Sequence, residues 1–442
     1  MAAPANAPKK LPEELILHVI RQLRCERSEL VSFSQVAKGY FAPCQKYLLE
    51  EVDLSHKDDT LVEHKFNCIE KVVKRCGVGM EQMLQGARVL RVSFGWGEPQ
   101  GVLSNPAFIH FLRSFTSLES LTLARIDFDG SQDSLLVETI MRLISLPGIQ
   151  SVKLWRLERI PAPLMKLATQ VPSLTMETSS PGSFRDGNIR GFSKAGPHPI
   201  MHTFNWSGGM PGDGIVPHHI HARSFSAVRS LGLFLVFSSF GRLDFGGLLD
   251  YAGDLEELNF MYPTATRYIG QMLMSATHDV LAAMGHPRTR QLLRLRIRFH
   301  TLDDPACSSS ERPFHKYLWD LVEILKHSSI SELLEELSFD IVVSTPIIHC
   351  AKRLQDDIGK ASQAFLRLDE ILSSRDKFPK LQTLRWCFVR DLYLDEIKFN
   401  IPVCQRIIQG ATTSNMPMLN AEGRFALEFV SKVDSSWVWV TV

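Results

Sequence analysis

Leu118-Glu119-Ser120-Leu121-Thr122-Leu123 carries an L-x-x-L-x-L pattern, apolar at positions one, four and six, and the pattern returns along most of the chain. It fits Leu49/Val52/Leu54, Ala87/Leu90/Val92, Ile149/Val152/Leu154, Val171/Leu174/Met176, Met201/Phe204/Trp206, Val228/Leu231/Leu233, Leu255/Leu258/Phe260, Leu292/Leu295/Ile297, Leu334/Leu337/Phe339 and Leu381/Leu384/Trp386. Positions four and six share one side of a strand, because side chains alternate with period two. Between these pieces lie helical patterns: Ser134 to Leu146 aligns Leu135, Leu136, Ile140, Leu143 and Ile144; Phe314 to Ile324 aligns Phe314, Leu318, Leu321 and Ile324; Ala361 to Leu372 aligns Phe365, Leu368, Ile371 and Leu372. Strand followed by helix, repeated, predicts an α/β fold with a parallel sheet and helices on one side.

Successive units begin 22 to 47 residues apart. The middle spacings are similar to the roughly 20–29 residues of leucine-rich repeats, so residues 55–442 resemble an irregular solenoid of that kind. The likeness is loose: no Asn stands three residues after position six, where Ile126 and Leu157 are found instead. Thr178 to Val216, rich in Gly, Pro and Ser, breaks the rhythm and is expected to be a loop insertion around one strand, Met201 to Trp206. At the end, Phe425, Leu427 and Phe429 alternate, and Trp437-Val438-Trp439-Val440 follows a Ser-Ser turn signal, which predicts a capping hairpin over 424–442.

Residues 11 to 49 differ. Leu11, Leu15, Ile16, Val19, Ile20 and Leu23 recur at helical spacing, with Pro12 in the first turn and Glu13 and Glu14 where the helix dipole favours negative charge. After RCERSE come Leu30, Phe33, Val36, Ala37, Tyr40 and Phe41, then Cys44, Tyr47, Leu48 and Leu49, so three short helices are implied. So small a module makes only a small core, and much of its apolar surface is left for the following domain or a partner to close.

Leu11-Pro12-x-Glu14-Leu15, Val19-Ile20-x-x-Leu23 and Leu30-x-x-Phe33-x-x-Val36-Ala37-Lys38-x-Tyr40 resemble an F-box, and the likeness spans about residues 11 to 54. Ala37 and Tyr40 stand where members usually carry a small polar residue and Trp; the whole looks most like the divergent fungal F-box families. The resemblance implies docking on a Skp-type adaptor, and through it on a cullin, by Leu11, Pro12, Leu15, Ile16, Val19, Ile20, Leu30, Val36 and Tyr40. It implies a substrate-recognition subunit of an SCF-type ubiquitin ligase whose repeat region binds an unknown target protein. The periodicity alone equally fits a helical cap on a scaffold or inhibitor protein.

The remaining composition is consistent with this. With 442 residues, 45% apolar and 22% charged, and 49 Lys+Arg against 48 Asp+Glu, the chain lacks the bulk basic charge of a nucleic-acid binder. The longest apolar run, Leu231 to Phe237, is too short to span a bilayer, so no membrane partner is expected. Met1 to Lys10 lacks a secretory apolar core and is expected to be disordered, and a cytoplasmic and/or nuclear location is expected. The eight cysteines contain no C-x-x-C pair and are expected to be reduced. No nucleotide, hydrolase or zinc-protease motif occurs, and the adjacent acids Glu13-Glu14, Asp303-Asp304 and Asp356-Asp357 do not converge on one substrate atom; neither an enzyme nor a cofactor is expected. Of His198, His202, His218, His219 and His221, His219 and His221 could share one strand face, yet a zinc site wants three or four ligands and no Cys or carboxylate lies close by, so no metal is expected either.

The sharpest local pattern is Arg294, Arg296 and Arg298, alternating with Leu295 and Ile297. Aligning units by position four sets Leu258, Leu295 and Leu337 side by side. Arg294 then lies between Glu257 and Glu336, and Arg298 beside Asp340, where exposed cross-strand ion pairs are expected. Arg296, between Asn259 and Ser338, faces no acid in that register and is open to an acidic or phosphorylated group. With Arg385, Trp155, Phe234 and Met261 on the same polar side of the sheet, these residues form the candidate target-binding set; folding the aromatics under the 178–216 loops is the alternative.

Overall fold

The computed structural model describes residues 13–23, 26–36, 38–55, 59–94, 100–128, 134–155, 157–177, 184–185, 201–208, 225–235, 249, 252–262, 284–301, 314–327, 332–343, 350–390 and 401–430. The protein is mixed α/β and divides into two compact units, Met1–Pro197 and His198–Val442, a boundary inside the segment whose composition breaks the repeat.

In the first unit, helices α1 (Glu13–Gln22), α2 (Arg27–Ser34) and α3 (Lys38–Leu48) precede β1 (Glu51–Asp53), α4 (Asp59–Cys76), α5 (Met80–Leu84) and β2 (Val89–Ser93). Then come α6 (Gln100–Leu103), α7 (Pro106–Arg113), β3 (Ser120–Ala124), α8 (Ser134–Ile144), β4 (Ser151–Trp155), the short β5 (Ile160–Pro161), α9 (Ala162–Ala168), β6 (Ser173–Glu177) and β7 (Phe184–Arg185). Strands β1, β2, β3, β4 and β6 pair in that order, all parallel. Parallel neighbours require crossover connections, and these segments supply helices. Helix α7 starts where Pro106 occupies the first turn and the Asn105 side chain accepts from Ala107 N at 2.9 Å.

The second unit follows the same plan with β8 (Thr203–Gly208), β9 (Ser230–Leu235), β10 (Glu257–Tyr262), β11 (Arg294–Thr301), α10 (Phe314–His327), β12 (Glu336–Val343), α11 (Cys350–Ser373), β13 (Thr383–Arg390), α12 (Ile401–Asn415), α13 (Pro417–Ala421) and β14 (Phe425–Val430). These seven strands also pair in chain order and all parallel.

The register is the one the leucine pattern dictates. Val52, Leu90, Leu121, Val152 and Leu174 are paired in one row, and Phe204, Leu231, Leu258, Leu295, Leu337 and Leu384 in another, every one of them buried. Position six adds a parallel row running to Trp206, Phe260, Phe339 and Trp386, with Phe339 and Trp386 ring centroids 5.0 Å apart. Position one, from Leu118 to Leu381, is buried as well.

A backbone device that no side-chain pattern announces recurs before the strands. The carbonyl of Glu50 accepts from Arg88 N and Val89 N, that of Arg88 from Glu119 N and Ser120 N, and that of Glu119 from Gln150 N and Ser151 N. The second unit repeats it with His202, Arg229, Glu256, Leu293 and Glu335 as acceptors. One carbonyl thus fixes two successive amides of the next unit and sets its register before the strand begins.

At the C-terminus β14 pairs parallel with β13 and is reached by a crossover through α12 and α13; the expected second arm of the capping hairpin, Trp437 to Val440, lies outside the described residues. The unit escaped the leucine pattern because Glu422 occupies position one. In place of that apolar anchor, Arg424 is buried and donates to Leu381 O at 3.0 Å, and ion-pairs with Glu422. Asp369 of α11, also buried, receives the N–H groups of Met418 and Leu419 at 2.9 Å each and so caps α13. Replacing it leaves two amides at a helix start without an acceptor: Asp369→Ala is expected to lower stability by about 1–3 kcal/mol and Asp369→Asn by less. Denaturant midpoints, with amide exchange at 417–421 as the local readout, check this.

Candidate docking face and the polar face of the sheet

The three N-terminal helices close on a very small core. Ile20, Leu30 and Cys44 are fully buried, with Ile16, Leu23, Phe33, Tyr40, Tyr47 and Leu48 packed around them. Phe33 and Tyr40 stack with centroids 5.1 Å apart and planes 9° from parallel. Burial pushes the Cys44 thiol above its ordinary pKa, as an apolar site should.

This core faces one stripe of α1, that of Ile16, Ile20 and Leu23. A second apolar stripe, one turn long, flanks it: Leu15 is 53% exposed and Val19 42%. Val36, after α2, is 70% exposed, and Leu17 and Val31 are exposed too. Of the nine residues assigned to adaptor docking, Leu15, Val19 and Val36 are at the surface, and Ile16 and Tyr40 are half-buried. Ile20 and Leu30 are corrected: they are the module's own core and offer a partner no surface. Leu11 and Pro12 lie outside the described residues. Leu17 and Val31 fell outside the helical spacing followed in the sequence and were reachable only by asking which apolar residues the core leaves over.

On the polar face of the second unit, the pairing sets Asn259, Arg296, Ser338 and Arg385 in one row and Met261, Arg298, Asp340 and Cys387 in the next. Arg298 and Asp340 are buried, so this face is not the open surface that period two implies. Asp340 Oδ2 accepts from Arg298 Nε at 2.9 Å and Nη2 at 2.7 Å, and from Arg296 Nε at 2.8 Å. Arg296 is therefore corrected: it is paired, and with an acid one step diagonally along the neighbouring strand rather than directly opposite. Arg298 is corrected as a target contact because it is buried in that pair.

Burial pushes the Arg298 guanidinium below its ordinary pKa, Asp340 pulls it back up, and Arg296 pushes it down again. An arginine stays charged through such a shift, so two cations share one carboxylate oxygen. Asp340 Oδ1, buried too, has no hydrogen-bond partner among the described residues. Arg294 stands between Glu257 and Glu336 as the register requires, yet among the described residues no ion pair joins it to either. Glu336 lies instead 3.8 Å from Arg385, which is exposed, and accepts from Ser338 Oγ at 3.1 Å. Phe234 and Met261 share a row by backbone register; their side chains lie outside the described set. In the first unit Trp155 is half-buried at the end of β4, opposite Ala124 and Glu177.

Among the described residues no three His, Cys, Asp or Glu side chains group to hold a metal ion, and no helix is long and apolar enough to cross a membrane. His198, His218, His219 and His221 are outside the described residues; His202 is exposed. Cys44, Cys68, Cys76 and Cys387 are free thiols. No model of a known protein family matches the chain, and neither does any curated protein.

The shared carboxylate has a measurable consequence. Asp340→Ala strands two guanidiniums, one of them buried, and is expected to cost on the order of 3–5 kcal/mol. Arg298→Leu combined with Asp340→Leu removes both buried charges and is expected to cost less than Asp340→Ala alone. Urea unfolding of the three proteins decides the order.

Proposed function

We propose that the chain is a substrate-recognition subunit of an SCF-type cullin–RING ubiquitin ligase: an F-box-like module over residues 11–54 holds a Skp-type adaptor, and a leucine-rich-repeat-like solenoid presents a target protein. The observation that carries this reading is the exposed stripe of Leu15 and Val19, with Val36 nearby, on three helices whose sequence resembles an F-box. A module with three fully buried apolar residues among those described, which still leaves large apolar side chains in solvent, has a surface suited to another polypeptide.

The mechanism is proximity. The subunit makes and breaks no bond; it holds a target lysine near the ubiquitin-loaded enzyme, raises its effective concentration, and by geometry limits which lysines react. The competing reading, a scaffold or inhibitor protein whose helices merely cap the repeats, draws support from the two-residue connection between α3 and β1, which makes the module continuous with the sheet.

The two separate cleanly in one experiment. Adaptor co-purification is expected for the wild type and lost in Leu15→Asp and Val19→Asp, each of which costs about 2 kcal/mol of binding or more while leaving circular dichroism and thermal unfolding unchanged. Ile20→Asp is expected to melt the module. If the two surface substitutions unfold the protein, or if folded wild type forms no complex at micromolar concentrations, the capping reading replaces the ligase one.

A further inference from the structure

Arg27, the first residue of α2, reaches out of the helical module. Its Nη2 donates to Leu48 O at 3.0 Å and to Glu51 O at 3.3 Å, and its Nη1 lies 3.4 Å from Glu51 Oε2. Leu48 is the last residue of α3, so its carbonyl is one of the group a helix C-terminus leaves without an intrahelical donor. Glu51 is the first residue of β1. Through its other carboxylate oxygen Glu51 holds Arg91 of β2, and Arg91 also lies 3.9 Å from Asp53. One run of guanidinium and carboxylate groups therefore ties α2, the end of α3, β1 and β2 together. A second tie joins α3 to α4, where Arg75 sits 4.6 Å over the ring of Phe41.

The chemistry of the tie matters. A planar fork contacts two carbonyls and a carboxylate at once, which a point charge on a lysine stem does not reproduce. Arg27 and Glu51 are partly exposed, so the strength is modest and screened by salt. Its position gives it leverage: β1 is only three residues long, the residue before it, Glu50, holds the N–H groups of Arg88 and Val89 through its carbonyl, and the residue after it, Leu54, donates its N–H to Arg91 O.

We propose that Arg27 is a positioning residue, a strap that locks the helical module onto β1 and β2, so that an occupant of the Leu15–Val19 stripe stabilises the first strand pair. The strap stands on the contacts above; the response to an occupant rests on the docking reading of that stripe. Hydrogen exchange on the full chain tests both. In Arg27→Ala the amides of Leu54, Arg88 and Val89 are expected to exchange roughly two- to fivefold faster, with Gln150 and Ser151, pinned to Glu119 O, unchanged as internal references. Arg27→Lys is expected to fall between, and Glu29→Ala, in the same helical turn, to leave all five amides at wild-type rates. Wild-type rates in Arg27→Ala, or equal acceleration in Glu29→Ala, overturn the strap. With saturating Skp-type adaptor the same three amides are expected to slow in the wild type and not in Arg27→Ala. Binding without slowing overturns the coupling, whereas absence of binding overturns the docking reading and leaves the first comparison to decide the strap.

Discussion

Everything in this fold depends on burying positions four and six of each repeated unit on one side of a parallel sheet. A one-residue slip of any strand would turn its leucines to the other face and its polar residues into the core, so the register carries a penalty of several buried side chains per strand. The shared carbonyls of Glu50, Arg88, Glu119, His202, Arg229, Glu256, Leu293 and Glu335 act before that penalty is felt. Each fixes two amides of the next unit with main-chain atoms alone. Side chains at these positions are therefore free to vary, from Glu to Arg to His to Leu, and their outer ends form exposed pairs such as Arg229 with Glu256 at 2.8 Å.

That division of labour explains how much of the fold was legible. The leucine rows could be read because apolar burial leaves a mark on residue type at a fixed spacing; the alignment of Leu258, Leu295 and Leu337 is the observed register. The carbonyl device left no mark because backbone does not depend on side chain. β14 was visible as a strand through its alternation, and its parallel pairing was hidden because a buried arginine, Arg424, does the work of the missing apolar residue at position one.

The candidate sites show the same limits more sharply. Reading only the residue directly opposite gave Arg296 no acid, yet a guanidinium on a long stem reaches the diagonal neighbour, and Asp340 sits there. Once two arginines meet one carboxylate oxygen, those three side chains belong to the architecture, and Arg296 and Arg298 are engaged by the protein's own aspartate. On the helical module, periodicity marked apolar residues without saying which turn inward. Ile20 and Leu15 are equally apolar and five positions apart; only the geometry of three short helices sends the first into a core and leaves the second in water.

A core with three fully buried apolar side chains among the described residues is small even by the standards of the smallest independent domains, which supplement theirs with disulfides, metals or partners. The module gains order by attachment: α3 runs into β1 through Leu49 and Glu50, and Leu49, buried, is the position-one residue of the unit that contains β1. The small core of the helices is thereby continued into the buried residues of the sheet, and the helices leave Leu15, Val19 and Val36 exposed. A docking face in a free-standing module of this size would have to trade its own core for contact surface. Joined to the sheet, the two demands separate, with the buried stripe of α1 serving the fold and the neighbouring stripe left in solvent.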